Sequence, residues 1–248
     1  MIEVALCPSE IARFSATDLS GATVVVFDVL RATSSMITGL GAGALEIFPV
    51  SSIEEARERK LKEPELLLAG ERDGLPPDGF DLGNSPDEFE KTTGRRVVMT
   101  TTNGTAAIRS MRQASEVLIG ALINVDALAD YLFRRQPEEL LLVCAGTQEG
   151  FSLEDAVAAG ALIVRLAEDD RLSDSAILVR ALYERVGDDL EDWMRQTKNG
   201  RALQKIGKGS DIARCARIST MDIIGCLRRD AVVRLGPSED VRSEVRPR

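Results

Sequence analysis

The 248-residue chain contains no histidine, and that absence excludes more than any residue present. Ser-His-Asp and Cys-His catalysis, phosphohistidine chemistry and histidine-ligated zinc are all ruled out. Any acid, base or nucleophile must be Asp, Glu, Cys, Lys, Tyr, Ser or Thr. A metal would sit mainly on oxygen, which favours Mg²⁺ or Mn²⁺. Aromatics are scarce, so the core is built from Ala, Val, Leu and Ile, the usual filling between helices and a sheet. The four cysteines, Cys7, Cys144, Cys215 and Cys226, are scattered without a CxxC, which argues against a zinc site or disulfide framework and fits a reducing cytoplasm. No apolar run reaches the roughly 20 residues of a membrane span, and the N-terminus has no basic region typical of a signal peptide. Positive charge is short: a net charge of -9 gives no general attraction to nucleic acid or anionic membrane. An anionic small-molecule substrate would need local arginine, backbone N–H groups or a bound cation.

Short apolar runs alternate with amphipathic ones. Strands are expected at 2–6, 23–28, 44–49, 65–69, 95–100, 116–120 and 139–144. Helices are expected near 32–41, 52–61, 85–91, 104–112 and 124–135. This alternation predicts an α/β fold with a largely parallel, or mixed, central sheet. After residue 150 the pattern turns helical, at 151–168, 174–186, 188–195 and 200–217, and residues 221–236 read as two short strands around a basic turn. No linker or repeat interrupts the chain, so residues 1–248 are expected to form one domain, with a subdivision near 150 as the alternative. The charged end, 237–248, is expected to fray.

In open α/β sheets ligands bind beyond the carboxyl ends of strands. Four loops carry polar clusters there. In VVVFDVLRATSS (24–35), Asp28 ends a strand, and Arg31, Thr33 and Ser34 open a helix whose free N–H groups suit phosphate. The competing reading makes Asp28 a helix cap. A haloacid-dehalogenase-type phosphatase would need a second aspartate at position 30, which is Leu30. In LLLAGERDGLPPDGFDLGNSPDEF (66–89), Glu71 and Arg72 follow a strand, and Asp78, Asp81 and Asn84 lie in a Gly/Pro-rich loop. Ser85, Pro86 and Glu88 form a helix start with Ser85 as cap. Glu71 and Asp81 are candidate metal ligands. In VVMTTTNGTAAI (97–108), Thr100, Thr101, Thr102, Asn103, Gly104 and Thr105 suggest an anion cradle. In LLVCAGTQEGFSLEDAVAAG (141–160), Cys144 ends a strand, and Ser152 can cap the helix bearing Glu154 and Asp155. A nucleophilic phosphatase cysteine would want arginine six residues on; Gly150 is there, so Cys144 reads as a packed residue.

These loops, FDVLRATSS, LLAGERDGLPPDGFDLGNSP, TTTNGT and CAGTQEGFSLED, resemble in matching order the 2-phosphosulfolactate phosphatases, the ComB family linked to coenzyme M biosynthesis. The likeness extends more weakly to NGRAL (199–203) and DIARCARIST (211–220). The resemblance implies a three-layer α/β/α fold and a Mg²⁺-dependent phosphatase converting 2-phospho-3-sulfolactate to 3-sulfolactate and phosphate. It implies site roles for Asp28, Arg31, Glu71, Asp81, Asn84, Asn103, Gly104, Thr105, Glu154 and Asp155. The family pattern often has histidine where this chain has Asn199.

On this reading Asp28, Glu71, Asp81, Glu154 and Asp155 are the metal candidates, and Arg31 clamps the phosphate. Asp28, Arg31, Glu71 and Asp155 form the catalytic set. Arg72 and Arg201 are candidates for the carboxylate or sulfonate. Thr33, Ser34, Asn84, Thr102, Asn103, Gly104 and Thr105 complete the substrate cradle. Water is favoured over Asp28 as nucleophile, because the acid at position 30 is missing. Alternatives are a phosphatase for another small phosphorylated hydroxy acid, a non-catalytic sensor of a phosphorylated metabolite, and a structural subunit. A homodimer is compatible with the sequence.

Overall fold

The computed structural model describes residues 1–166 and 171–236. The strands are β1 (Ile2–Ala5), β2 (Ala22–Phe27), β3 (Glu46–Pro49), β4 (Leu67–Gly70), β5 (Arg96–Thr100), β6 (Glu116–Gly120), β7 (Glu139–Cys144), β8 (Gly225–Arg228) and β9 (Ala231–Arg234). All nine join one sheet in the order β1-β7-β2-β6-β8-β9-β3-β5-β4. The helices that matter here are α1 (Pro8–Ser15), α2 (Ala32–Ala42), α3 (Ile53–Lys62), α4 (Pro86–Phe89), α5 (Gly104–Ser110), α6 (Val125–Arg135), α7 (Leu153–Leu166) and α8 (Asp174–Val186). The C-terminal part adds α9 (Leu190–Arg195), α10 (Lys198–Lys205) and α11 (Ser210–Cys215). Among the described residues no helix is long and apolar enough to cross a membrane.

The alternation along β2 explains the layers. Val24 and Val26 point into a core with Met36 and Ile37 of α2 and Ile108 of α5. Val25 and Phe27 point to the other face, into a core with Leu128 of α6, Val157 of α7 and Val179 of α8. A one-residue slip would exchange the two faces, so burial on both sides fixes the register. A smaller core places α3 through Ala56 against Phe48, Leu68 and Val98. The result is the three-layer α/β/α architecture.

The sheet is mixed in an ordered way. β1, β7, β2 and β6 are mutually parallel, as are β3, β5 and β4. The β8–β9 hairpin stands between the two runs and pairs antiparallel to β6 and to β3. The seven predicted parallel-type strands and the C-terminal strand pair are all present. Two helical expectations change. Residues 200–217 form two helices, because Gly207 takes φ +75° and ends the first. α1 has no counterpart among the expected helices. The last two residues of the expected 151–168 helix and the charged end at 237–248 lie outside the described residues.

α7 and α8 meet at Gly160, where a Cβ would stand 2.0 Å from the Val179 carbonyl oxygen. That contact is with backbone and cannot be relieved by a rotamer change. Gly160→Ala is expected to cost about 1–3 kcal/mol of stability, since the helices must separate. Denaturant titration checks it; an unchanged midpoint would show the interface to be looser than described.

Candidate active site

A pocket of about 280 Å³ opens where the loops after β2, β4, β5 and β7 meet the helix α10. Asp28 stands at its base, immediately after β2, and is buried. Its Oδ1 accepts from Ala32 N at 3.2 Å and so meets one free N–H at the start of α2, although Arg31 and not Asp28 is the N-cap residue. Its Oδ2 lies 2.3 Å from where a Cβ on Gly104 would be, so only glycine lets the β5–α5 turn close over this carboxylate. Burial pushes the Asp28 carboxyl up to about 7; the Ala32 N–H opposes that shift, and the charges of Glu71 and Glu154 add to it.

Arg31 lines the same pocket from below and is only 2 % exposed. Its guanidinium donates to Asp211 Oδ2 at 2.6 Å and to the Gly74 carbonyl at 2.7 Å. Asp211, on α11, also accepts from Ser85 Oγ at 2.7 Å. Ser85 therefore does not use its hydroxyl as the α4 cap; the buried Asp211 carboxylate claims it. Gly74 belongs to a two-residue turn, Asp73-Gly74, in which both residues take positive φ (54° and 81°). Asp-Gly is the pair that such a turn favours.

Glu71 follows β4 and lines the pocket. Its Oε1 accepts from Thr102 N and Oγ1 at 2.8 and 3.0 Å, and its Oε2 from Gly74 N at 2.9 Å. Asn84 is buried in the pocket wall, and its Oδ1 has no hydrogen-bond partner. Asp155 and Glu154 are both buried at the start of α7. Asp155 receives N–H groups from Val29 (2.8 Å) and Gly146 (3.2 Å), and Ser152 Oγ caps the helix as expected by accepting from Asp155 N. Burial and the Asp28 and Glu154 charges raise the Asp155 carboxyl despite those two N–H groups. Glu154 Oε1 accepts from Asn199 Nδ2 at 2.6 Å, and the same amide reaches Thr147 Oγ1 at 2.7 Å.

Other predicted residues serve the scaffold. Thr33 Oγ1 brackets the Asp28 backbone and Ser34 Oγ donates to the Val29 carbonyl, so neither hydroxyl faces the pocket. Thr105 closes on Thr101, and Asn103 joins the β5 and β7 loops through Ala145 O and Gln148 while still lining the pocket. Asp81 does not join the acids: it pairs with Lys60 at 2.6 Å and accepts from Leu68 N at 2.7 Å, pinning its loop back to β4. Arg72 turns to the Glu71 carbonyl and Thr100 Oγ1, and Arg201 to the Gln196 carbonyl, so neither lines the pocket. Cys144 is fully buried and its thiol is pushed up by burial, which keeps it a packed, un-ionised residue. The sequence reading missed Asp211 and Lys198. DIARCARIST had marked the segment of the first but not the residue, and nothing local marked the second.

The Asp28 shift fixes the sign of a stability effect. An aspartate normally titrates near 3.8, so between about pH 4 and 7 the folded state holds a proton that the unfolded chain has released. The folded state thus loses relative stability as pH rises through that window, and the full cost is present above it. Asp28→Asn, assayed in excess chelator, is expected to gain stability over the parent chain as pH climbs from about 5 to 8. A difference that stays constant across that range would contradict the raised Asp28 value.

The family model described as 2-phosphosulpholactate phosphatase matches residues 9–230. A protein of Thermotoga maritima named "Probable 2-phosphosulfolactate phosphatase" is 43 % identical over 195 residues, 78 % of this chain and 83 % of that protein. Proteins of the same name from Caldanaerobacter subterraneus and Deinococcus radiodurans are 39 % and 41 % identical, covering 87 % and 82 % of this chain and 91 % and 86 % of their own. The match spans β2 through β8 and includes every loop that lines the pocket, and on that extent the chain belongs to the 2-phosphosulfolactate phosphatase family.

Proposed function

We propose that this chain is a Mg²⁺-dependent phosphatase that hydrolyses 2-phospho-3-sulfolactate to 3-sulfolactate and inorganic phosphate. The observation that carries the reading is the buried Asp28 carboxylate facing one pocket with Glu71, Asn84 and Arg31, in a chain of this family. The continuous nine-stranded sheet supports treating it as one domain, and cysteines scattered without a CxxC suit a reducing cytoplasm.

The residues present fit a hard cation. Asn84 Oδ1 is buried without a hydrogen-bond partner, and burial and the charges of Glu71 and Glu154 raise Asp28 against the opposing Ala32 N–H and Arg31 charge. Among the described residues no three carboxylates or thiols are disposed to hold one ion. A set of few protein oxygens is the habit of Mg²⁺, which keeps several waters. Asp28 and Glu71, with Asn84, are the residues that would hold it, and Glu154 stands outside the pocket lining. When bound, the ion offsets negative charge on the phosphoryl oxygens. Asp81 is not part of this set, being paired with Lys60, and Asp155 does not line the pocket.

Arg31 has five N–H donors, of which Asp211 and Gly74 take two, so donors remain for a phosphoryl oxygen. Asp211 fixes the plane of the guanidinium and orients it before substrate arrives. Removing Arg31's fork while keeping its charge should therefore cost rate.

Phosphate release from 2-phospho-3-sulfolactate tests the reading directly. Chelation is expected to abolish release and Mg²⁺ or Mn²⁺ to restore it; full activity in excess chelator would remove the cation, and no release with any divalent ion would remove the substrate. Arg31→Lys is expected to lower kcat/KM at least about tenfold, roughly 1.4 kcal/mol. Asp211→Asn is expected to produce a similar loss, with little further loss when the two are combined, because they act as one unit. Strictly additive losses would show that Asp211 does not act through Arg31.

A further inference from the structure

Beyond its phosphate, the proposed substrate carries a carboxylate and a sulfonate. The pocket that must take them is lined by Asp28, Glu71 and Asp73. The two arginines that the sequence offered for this task, Arg72 and Arg201, are turned elsewhere. The cationic residues that line the pocket are Arg31 and Lys198. Arg31 is at the base, with its charge matched by Asp211. Lys198 is on the rim and exposed. Its ammonium donates to Gln148 Oε1 at 3.1 Å, and among the described residues no ion pair of Lys198 is found. A neutral amide oxygen satisfies one of three ammonium donors and none of the charge.

The backbone beneath Lys198 is held firmly. Thr197 caps α10 by accepting from Gly200 N at 3.1 Å. A Cβ on Gly200 would meet the Met194 carbonyl oxygen at 1.9 Å, so α10 is packed directly onto α9. Asn199 is tied to Thr147 and Glu154. A fixed helix start thus presents a charged side chain with a flexible stem to the pocket mouth. A point-charge ammonium pairs equally well with a sulfonate or a carboxylate and does not demand the planar match that a guanidinium exploits.

We infer that Lys198 is the specificity-determining cation for the acidic group of the substrate remote from phosphorus. The inference rests on the phosphatase reading above and names the residue that selects a phosphate ester bearing further acid groups. Lys198 engages that group on binding, displacing Gln148, while Arg31 stays with the phosphate.

The test compares Lys198→Met and Lys198→Arg with the parent chain in the presence of Mg²⁺. Lys198→Met is expected to raise KM for 2-phospho-3-sulfolactate at least tenfold, with a much smaller fall in kcat. Inhibition by 3-sulfolactate should weaken by a similar factor, while inhibition by inorganic phosphate stays as it was. Lys198→Arg should recover most of the affinity. Lactate as a further inhibitor identifies the partner: weakened lactate inhibition assigns the carboxylate, and unaltered lactate inhibition assigns the sulfonate. Unchanged 3-sulfolactate inhibition in Lys198→Met, or an equal weakening of 3-sulfolactate and phosphate, would overturn the inference. The parent chain separates the two levels: if it releases no phosphate, the phosphatase reading fails, whereas failure of the Lys198 inference alone leaves that release intact.

Discussion

The buried ion pair between Arg31 and Asp211 is the constraint on which the rest of the pocket depends. The two residues are 180 positions apart, and each is 2 % exposed. Removing one partner of such a pair strands the other charge in the interior, at a cost of about 3–5 kcal/mol. The pair therefore forms only when the β2–α2 junction and α11 are both in place. Ser85 and the Gly74 carbonyl complete the same network, so the loop after β4 must close as well. Three segments far apart in the chain thus come to one point, and the pocket wall is what lies above it.

That network also separates two kinds of charge. Arg31 is balanced from below, which lets its unused donors face the pocket without leaving a bare cation buried. The acids are not balanced in the same way. Asp28, Glu154 and Asp155 crowd the opposite side, and burial together with mutual repulsion raises Asp28 and Asp155. Natural sites hold such electrostatic tension where a ligand relieves it. Gly104 sharpens the tension: by having no side chain it allows the β5–α5 turn to press on the Asp28 carboxylate instead of leaving room for water.

The sequence carried the strands because each is a short apolar run bounded by turn residues, and β1 to β7 fall where those runs do. It carried little about their order. Nothing in the periodicity of residues 221–236 says that β8 and β9 insert between β6 and β3 and divide the sheet into two parallel runs, since pairing partners are chosen by tertiary packing. The same division holds at the site. Asp28, Arg31, Glu71, Asn84 and Asn103 were legible because they follow strand ends, where a parallel sheet delivers its loops. Asp81 looked equivalent, but its carboxylate found Lys60 and the Leu68 N–H first. Asp211 and Lys198 lie on short helices, where a charged residue reads as solvent-facing. Only the fold shows that one points inward to Arg31 and the other lines the pocket.

Asn199 ties together two walls of the pocket in a chain without histidine. The resemblance read from the sequence implies an imidazole here, a group that can change its charge near neutral pH. The asparagine amide has no such freedom. Its Nδ2 group donates to both Glu154 and Thr147, joining α10 to the start of α7 and to the loop after β7. Glu154 is thus held by a neutral amide donor rather than by a cation. Positive charge at this end of the pocket then has to come from the residue alongside, and Lys198 is one position away on the same helix turn. At this end of the pocket an amide holds the geometry, and an ammonium one residue before it carries the positive charge.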